Sequence, residues 1–285
     1  MTPFQWLGSK SRMSERVINY LLEGEIYVEP FCGSAAIFFN KEPHQKEVLN
    51  DLDSNIINLF KTIQNKDSCR IVEEKIKWTL YSREEFTKAL TILKLENPDP
   101  IERAWAFYVT QNQGFSGNLP KSSGNWGRVF TSAGDRARKT SQWENRQYLF
   151  EEWNTRLLHT TLTNTDALEC IKYWDSSKTV FYIDPPYIKS TRRSGNYDHE
   201  IDLTFHKNLC KTLLNTKGKA ILSGYNDDST YQPLLENGWF LIEMNAICHS
   251  ASKTRTTRPG NGKNPEDQRR TECLWIKGSK RNLFN

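Results

Sequence analysis

The chain has 285 residues, 37% of them hydrophobic and 26% charged, with a net charge of +5. That is enough for one large core or two modest ones, and the composition is that of a soluble globular protein. No apolar run reaches the roughly 18 residues of a transmembrane helix, and the start, MTPFQWLGSKSRM, lacks the apolar centre of a signal peptide, so a cytoplasmic protein with no membrane association is expected.

In chain order, RMSERVINYLLEG has helical spacing up to Gly24, EIYVEPF reads as a strand, and CGSAAIFFN reads as a turn opening into a helix. KEVLNDLD is a short strand ending in acids. The helix SNIINLFKTIQN follows, capped by Asp53 or Ser54. Beyond Lys66 the strands stop. Helical patterns continue to about Leu95, and PIERAWAFYVTQNQ is a further helix. The polar stretch GFSGNLPKSSGNWGRVFTSAGDR is too long for a plain connection. WENRQYLFEEWNTRLL resumes as helix. TTLTNTDALECIKYW, TVFYIDPPY, FHKNLCKTLLN and GKAILSGYN then alternate strand and helix again. GWFLIEMNAICHS and RRTECLWIKG close the chain as two strands joined by a long basic loop. The alternation implies an α/β fold with a mainly parallel sheet, interrupted by a helical, loop-rich insertion at 67–149.

Six cysteines (Cys32, Cys69, Cys170, Cys210, Cys248 and Cys273) are scattered without a CxxC pair. That argues against a disulfide scaffold and a zinc cluster, and no metal is expected. DHEIDLTFH, with His199 and His206, has no metal-site spacing and reads as a loop entering a helix near Asp202. Trp143, Trp153 and Trp174 fit core anchors. Basic residues concentrate at Lys121–Arg146, Lys189–Arg193 and Lys253–Arg281. Any one such segment also reads as a solvated loop; three near one candidate site point to phosphate contacts.

Four stretches carry chemistry. EPFCGSAAIFF places small residues where a strand gives way to a turn, letting a ligand approach exposed backbone N–H groups, although small residues there also serve packing. In LNDLD, Asp51 is the candidate to accept from ribose hydroxyls, and Asp53 is the better helix cap. FYIDPPY ends an apolar strand in Asp184, where an ionised group is costly without partners. Pro185 and Pro186 stiffen the backbone and donate no N–H. The Asp184 carboxylate and Pro185 carbonyl then form a site of acceptors only, suited to an amino group, and Tyr187 offers a flat face to a planar ring. Asn125, Trp126 and Arg128 sit in the polar loop, either as base contacts or as plain loop structure.

FQWLGSK, EPFCGSAAIFF, LNDLDSNIINLFKTI and FYIDPPY, in this order, resemble the alpha group of DNA N6-adenine methyltransferases, the type that includes the solitary GATC methylases. AILSGYND and RRTECLWIK resemble its later strands. The resemblance covers 1–66 and 150–285 as the catalytic domain and leaves 67–149 in the position of a target-recognition domain. It implies a seven-stranded Rossmann-like sheet with a C-terminal antiparallel hairpin and S-adenosyl-L-methionine as cofactor. It also implies duplex DNA as substrate, with the target adenine flipped out. By that resemblance Trp6, Lys10, Phe31, Gly33, Ser34, Asp51, Asp166 and Asp184 line the cofactor pocket, and Asp184, Pro185, Pro186 and Tyr187 form the catalytic tetrad. Family members commonly carry Gly where this chain has Ala35.

Asn125, Arg128, Lys189, Arg192, Arg193, Arg255 and Arg258 are the candidate DNA contacts, and the protein is expected to act as a monomer. An RNA base or a protein amide is an alternative substrate, although the protein-glutamine enzymes typically have Asn where Asp184 stands. A DNA-binding module without catalysis is the alternative of another class. If the basic loops meet phosphates, log K for duplex DNA falls steeply with log salt. Arg255→Ala with Arg258→Ala is then expected to flatten that slope by about 0.9 for each phosphate no longer neutralised. A filter-binding salt titration measures it.

Overall fold

The strands are short apolar runs whose neighbouring residues point to opposite faces, and both faces are covered. β1 (Ile26–Glu29), β2 (Lys46–Asn50), β3 (Thr160–Thr163), β4 (Thr179–Ile183) and β5 (Lys219–Tyr225) pair in parallel. β7 (Arg269–Lys277) lies antiparallel between β5 and β6 (Phe240–Ile247). The order β3-β2-β1-β4-β5-β7-β6 makes one seven-stranded sheet, the α/β architecture read from the strand–helix alternation and implied by the resemblance. The computed structural model of the chain describes residues 2–4, 6, 9–114, 126–127, 143, 145, 148–187, 202–225, 229–247 and 269–278.

Period-two alternation divides the core. Tyr27, Leu49, Tyr182 and Ile221 point into one apolar cluster, and Val28, Val48, Phe181, Ile183 and Leu222 into the other. The first cluster is closed by α1 (Ser14–Ile18), α2 (Ser54–Gln64), α3 (Lys66–Lys77), α5 (Pro100–Gln113) and α6 (Phe150–Leu157), with α4 (Arg83–Leu93) packed on α5. α7 (Ala167–Trp174), α8 (Leu203–Asn215) and α9 (Gln232–Glu236) close the second. α5 is buried all round between Ala104 and Thr110, as expected of a helix lying inside a layer. The described helices of 67–149 thus extend the same core as α2.

Caps explain most helix starts. Asp53, rather than Ser54, accepts from the Asn55 N–H at 2.8 Å, and Asp99 caps α5 just before Pro100. Asp202 caps α8 as its sequence suggested. Two helices differ from expectation. The first is a 3-10 turn (Lys10–Arg12) followed by α1, which stops at Ile18, short of Gly24. The run after β1 forms only hydrogen-bonded turns at 33–40, because Gly33 (φ 47°) and Ala35 (φ 52°) are both left-handed and cannot seed a right-handed helix.

Trp143 and Trp153 are core anchors, whereas Trp174 is half-buried under the Lys46 ammonium. The five described cysteines are free and buried, and Cys248 lies outside the described residues. Among the described residues no helix is long and apolar enough to cross a membrane. No group of three or more His, Cys, Asp or Glu there could hold a metal ion. His206 is buried, its Nδ1 2.5 Å from the Tyr231 hydroxyl, and His199 lies outside the described residues.

A buried ion cluster bolts β2 to α6 and the 33–44 segment. The Glu47 carboxylate accepts from Lys41 and from both Arg156 terminal nitrogens, and Arg156 also reaches the Phe38 carbonyl at 2.9 Å. Both cations also lie over rings: the Lys41 ammonium 4.0 Å from the Tyr27 centroid and the Arg156 guanidinium 3.7 Å from that of Phe38. Glu47→Ala strands two cations and is expected to cost about 3–5 kcal/mol, read from the midpoint of urea unfolding.

Candidate active site

Acids collect along the carboxyl edge of the parallel strands. Asp166 follows β3, Asp51 follows β2, Glu29 ends β1 and Asp184 follows β4, so the strand order sets them side by side in that sequence. At about 4.8 Å per strand the row from β3 to β4 spans roughly 14 Å.

Asp51 organises the loop above β1. Its Oδ2 accepts from the Gly33 N–H at 2.8 Å and its Oδ1 from the Asp53 N–H at 2.9 Å. Gly33 is required twice. Its φ is left-handed, and a Cβ there would lie 2.9 Å from the Trp6 ring. Ser34 is buried and shares a 2.9 Å hydrogen bond with Ser9, tying the loop to the amino-terminal segment. Phe31 meets Phe205 of α8 edge-on at 6.1 Å. Asp166 caps α7 through the Leu168 and Glu169 N–H groups. Trp6, Gly33, Ser34 and Asp51 are thus gathered around one loop, with Asp166 one strand beyond.

Asn50, fully buried, was not singled out in the sequence, yet it clamps this edge. Its amide donates to the Pro30 and Thr165 carbonyls, each at 3.0 Å, and accepts from Thr163 and Thr165. One side chain therefore joins the loops that follow β1 and β3.

The second cluster surrounds Asp184. Lys10, only 7% exposed, donates to Asp184 Oδ1 at 2.9 Å and lies 3.3 Å from Glu272 Oε1. Implied as a cofactor-pocket residue, it is seated on the acid of DPPY. The Tyr187 hydroxyl donates to Glu272 and lies 2.5 Å from Lys10 Nζ and 3.2 Å from Ser223 Oγ, which itself donates to Glu272 Oε1 at 2.8 Å. The Tyr187 ring carries Lys10 4.7 Å over one face and meets Tyr225 edge-on at 4.6 Å. Burial raises the Asp184 carboxyl above the ordinary aspartate range, against the pull of Lys10. Burial also opposes the Lys10 charge, but Asp184 and Glu272 outweigh it and hold the ammonium well above the usual lysine range. Burial pushes the Tyr187 phenol well up as well, so it stays a donor.

Glu272 and Ser223 belong to this cluster and were missed. The signal was present: an acid inside TECLWI and a hydroxyl inside AILSGY interrupt apolar strands, as Asp184 does. The candidate DNA contacts Asn125, Arg128, Lys189, Arg192, Arg193, Arg255 and Arg258 all lie outside the described residues. Between the first two, Trp126 bridges Gly114 and packs 5.8 Å from Tyr81, and the Gly127 N–H donates to the Gln113 carbonyl at 2.8 Å. Trp126 and Gly127 are thereby fastened to the end of α5.

Comparison with known proteins agrees with this geometry. The family model described as D12 class N6 adenine-specific DNA methyltransferase matches residues 6–246. The chain belongs to that family of enzymes. It is 24% identical over 278 residues to a DNA adenine methylase of Vibrio cholerae serotype O1, covering 93% of this chain and 92% of that protein. A DNA N-6-adenine-methyltransferase of Escherichia phage P1 is 30% identical over 115 residues, 40% of this chain but 15% of the phage protein. The DNA adenine methylase of Escherichia coli K12 is 27% identical over 122 residues, about two fifths of each chain. In this methyltransferase, FYIDPPY and the cluster beneath it stand at the carboxyl edge of the sheet, where α/β enzymes bind their ligands.

Beneath the loop, the buried Glu29 accepts from the Tyr27 hydroxyl at 2.7 Å and the Phe38 N–H at 2.9 Å. Burial lifts its carboxyl from 4.5 to about 7, despite these donors. Below pH 4.5 the acid is protonated in folded and unfolded chains alike. As pH rises through 7 the unfolded chain ionises readily and the folded one resists, so stability falls by on the order of 3 kcal/mol. Glu29→Gln is expected to remove that loss: its melting temperature, compared with the unaltered protein from pH 4 to 8, should gain between pH 4.5 and 7 and stay level above.

Proposed function

We propose that this methyltransferase moves a methyl group from S-adenosylmethionine to N6 of an adenine flipped out of duplex DNA. The observation that carries the reading is the Asp184 carboxylate, paired with Lys10 at 2.9 Å beside two prolines and an anchored tyrosine, two strands from Asp51. The residues present fit the cofactor. Gly33 leaves a cradle that a Cβ would fill against Trp6, and the row of carboxylates suits a ligand bearing hydroxyls and cationic groups. Trp6, Phe31, Gly33, Ser34, Asp51 and Asp166 would hold it, with Lys10 and Asp184 at the reacting end. When bound it supplies an electrophilic methyl on a sulfonium, which departs as a neutral thioether.

The protein's part is positioning and electrostatics. The N6 lone pair of adenine is delocalised into the ring. Asp184 accepts one N6–H and the Pro185 carbonyl the other, which favours a tetrahedral nitrogen with a localised lone pair. The transfer forms an N–CH3 bond, breaks a C–S bond and releases one proton, for which Asp184, made more basic by burial, is the nearby acceptor. Tyr187 stacks on the flipped base, its hydroxyl fixed by Glu272. The 67–149 segment reads the target site, with Asn125 and Arg128 on either side of the fastened Trp126–Gly127 pair.

Asp184→Ala is expected to lower single-turnover methylation by at least roughly 10²-fold, with fold and duplex binding retained because Glu272 still pairs Lys10. Labelled cofactor with unmethylated duplex DNA, RNA and protein as separate acceptors makes the test. A variant at near the original rate, or label appearing only in RNA or protein, sinks the proposal.

A further inference from the structure

Asp184 already has a partner. Its Oδ1 takes the Lys10 ammonium at 2.9 Å, on the group assigned above to an incoming amine. A carboxylate has lone pairs enough for two donors, so capacity is no obstacle. The obstacle is charge, because a cation against that oxygen weakens it as an acceptor. It also adds positive charge where a methyl cation equivalent is to be passed to nitrogen. Yet the ammonium cannot simply leave, since an unpaired buried charge costs several kcal/mol.

Glu272 resolves the conflict. It is 4% exposed, and β7 brings it level with Tyr225 at the end of β5. Its Oε1 stands 3.3 Å from the same ammonium, so a shift of less than about 1 Å turns that approach into a close ion pair. The same oxygen receives the Tyr187 and Ser223 hydroxyls, which fix the carboxylate in place. Two carboxylates share one cation, and the one bound to rigid donors is the natural place to park it. We propose that Glu272 is a positioning residue for methyl transfer: it takes the Lys10 ammonium from Asp184 when a target amino group arrives, restoring Asp184 as a full acceptor, and it holds Tyr187 through the exchange. This rests on the reading of Asp184 given above.

Glu272→Gln separates charge from shape, since it keeps the volume and an oxygen for Tyr187 and Ser223. It is expected to lower the single-turnover rate roughly 10²-fold, with melting temperature, duplex binding and S-adenosylmethionine binding unchanged. Glu272→Asp, which keeps the charge, should recover part of the rate. A readout apart from turnover is the Lys10 resonance in protein labelled with 15N at lysine Nζ, titrated with unmethylated duplex DNA and S-adenosylhomocysteine. It should move on DNA binding in the unaltered protein and stay still in Glu272→Gln. An active wild type with Glu272→Gln within twofold of its rate overturns the inference alone. So does a Lys10 resonance indifferent to bound DNA, or a rate loss matched by weaker binding and lower stability. A wild type that methylates no adenine overturns the reading of the site and this inference together.

Discussion

A single buried ammonium joins the amino-terminal segment to the working edge of the sheet. The Lys10 ammonium lies far in sequence from its partners: Asp184 after β4, Glu272 on β7, Tyr187 in the DPPY turn. Without it, two carboxylates would face each other in a space nearly closed to water, and each would have to take up a proton or repel the other. With it, one cation serves both. The segment that carries Lys10 is placed by Trp6 against Gly33 and by Ser9 against Ser34, so the loop above β1 and the DPPY turn are located by the same short stretch. The loop above β1 and the DPPY turn are mechanically one object.

The opposite side of that edge is governed by an uncharged group. Asn50 spans the loops after β1 and β3 with both amide protons and its oxygen engaged. It achieves with neutral hydrogen bonds what Lys10 achieves with charge. The amide locates both loops without adding a charge to the edge.

Much of this was legible. DPPY announces itself because an acid and two prolines at the end of an apolar strand contradict local preference. The helix starts at Asp53, Asp99 and Asp202 follow from cap chemistry, which is local. Glu272 shows as an acid inside an apolar strand, but its partner and the turn after β1 were not legible, for one reason. Glu272 meets Tyr187 across 85 residues, and only β7 running antiparallel between β5 and β6 brings it there. The run SAAIFF looks helical by propensity, yet Gly33 and Ala35 turn left-handed and the Phe38 N–H goes to Glu29 instead of a helical carbonyl. In both cases tertiary partners overrode the local preference, and single-sequence reasoning sees only the local part. Ala35 also stands where the family commonly has glycine, in a backbone region costly to a residue with a Cβ, roughly 1–2 kcal/mol.

The antiparallel course of β7 has a consequence for how such a protein can change. Ile247, at the end of β6, pairs with Arg269, at the start of β7, on the edge that also holds the ends of β4 and β5. Tyr225, which pairs with Glu272, ends β5 on the same edge. Tyr225, Ile247 and Arg269 are strand residues fixed by backbone ladders, whatever the sequence beyond them. Insertions, deletions and wholesale exchanges beyond those ends can accumulate over generations without disturbing the ladders that place Glu272 beside Ser223 and Tyr225. Lineages built on this frame are free to diversify at the rim while the chemistry beneath stays constant.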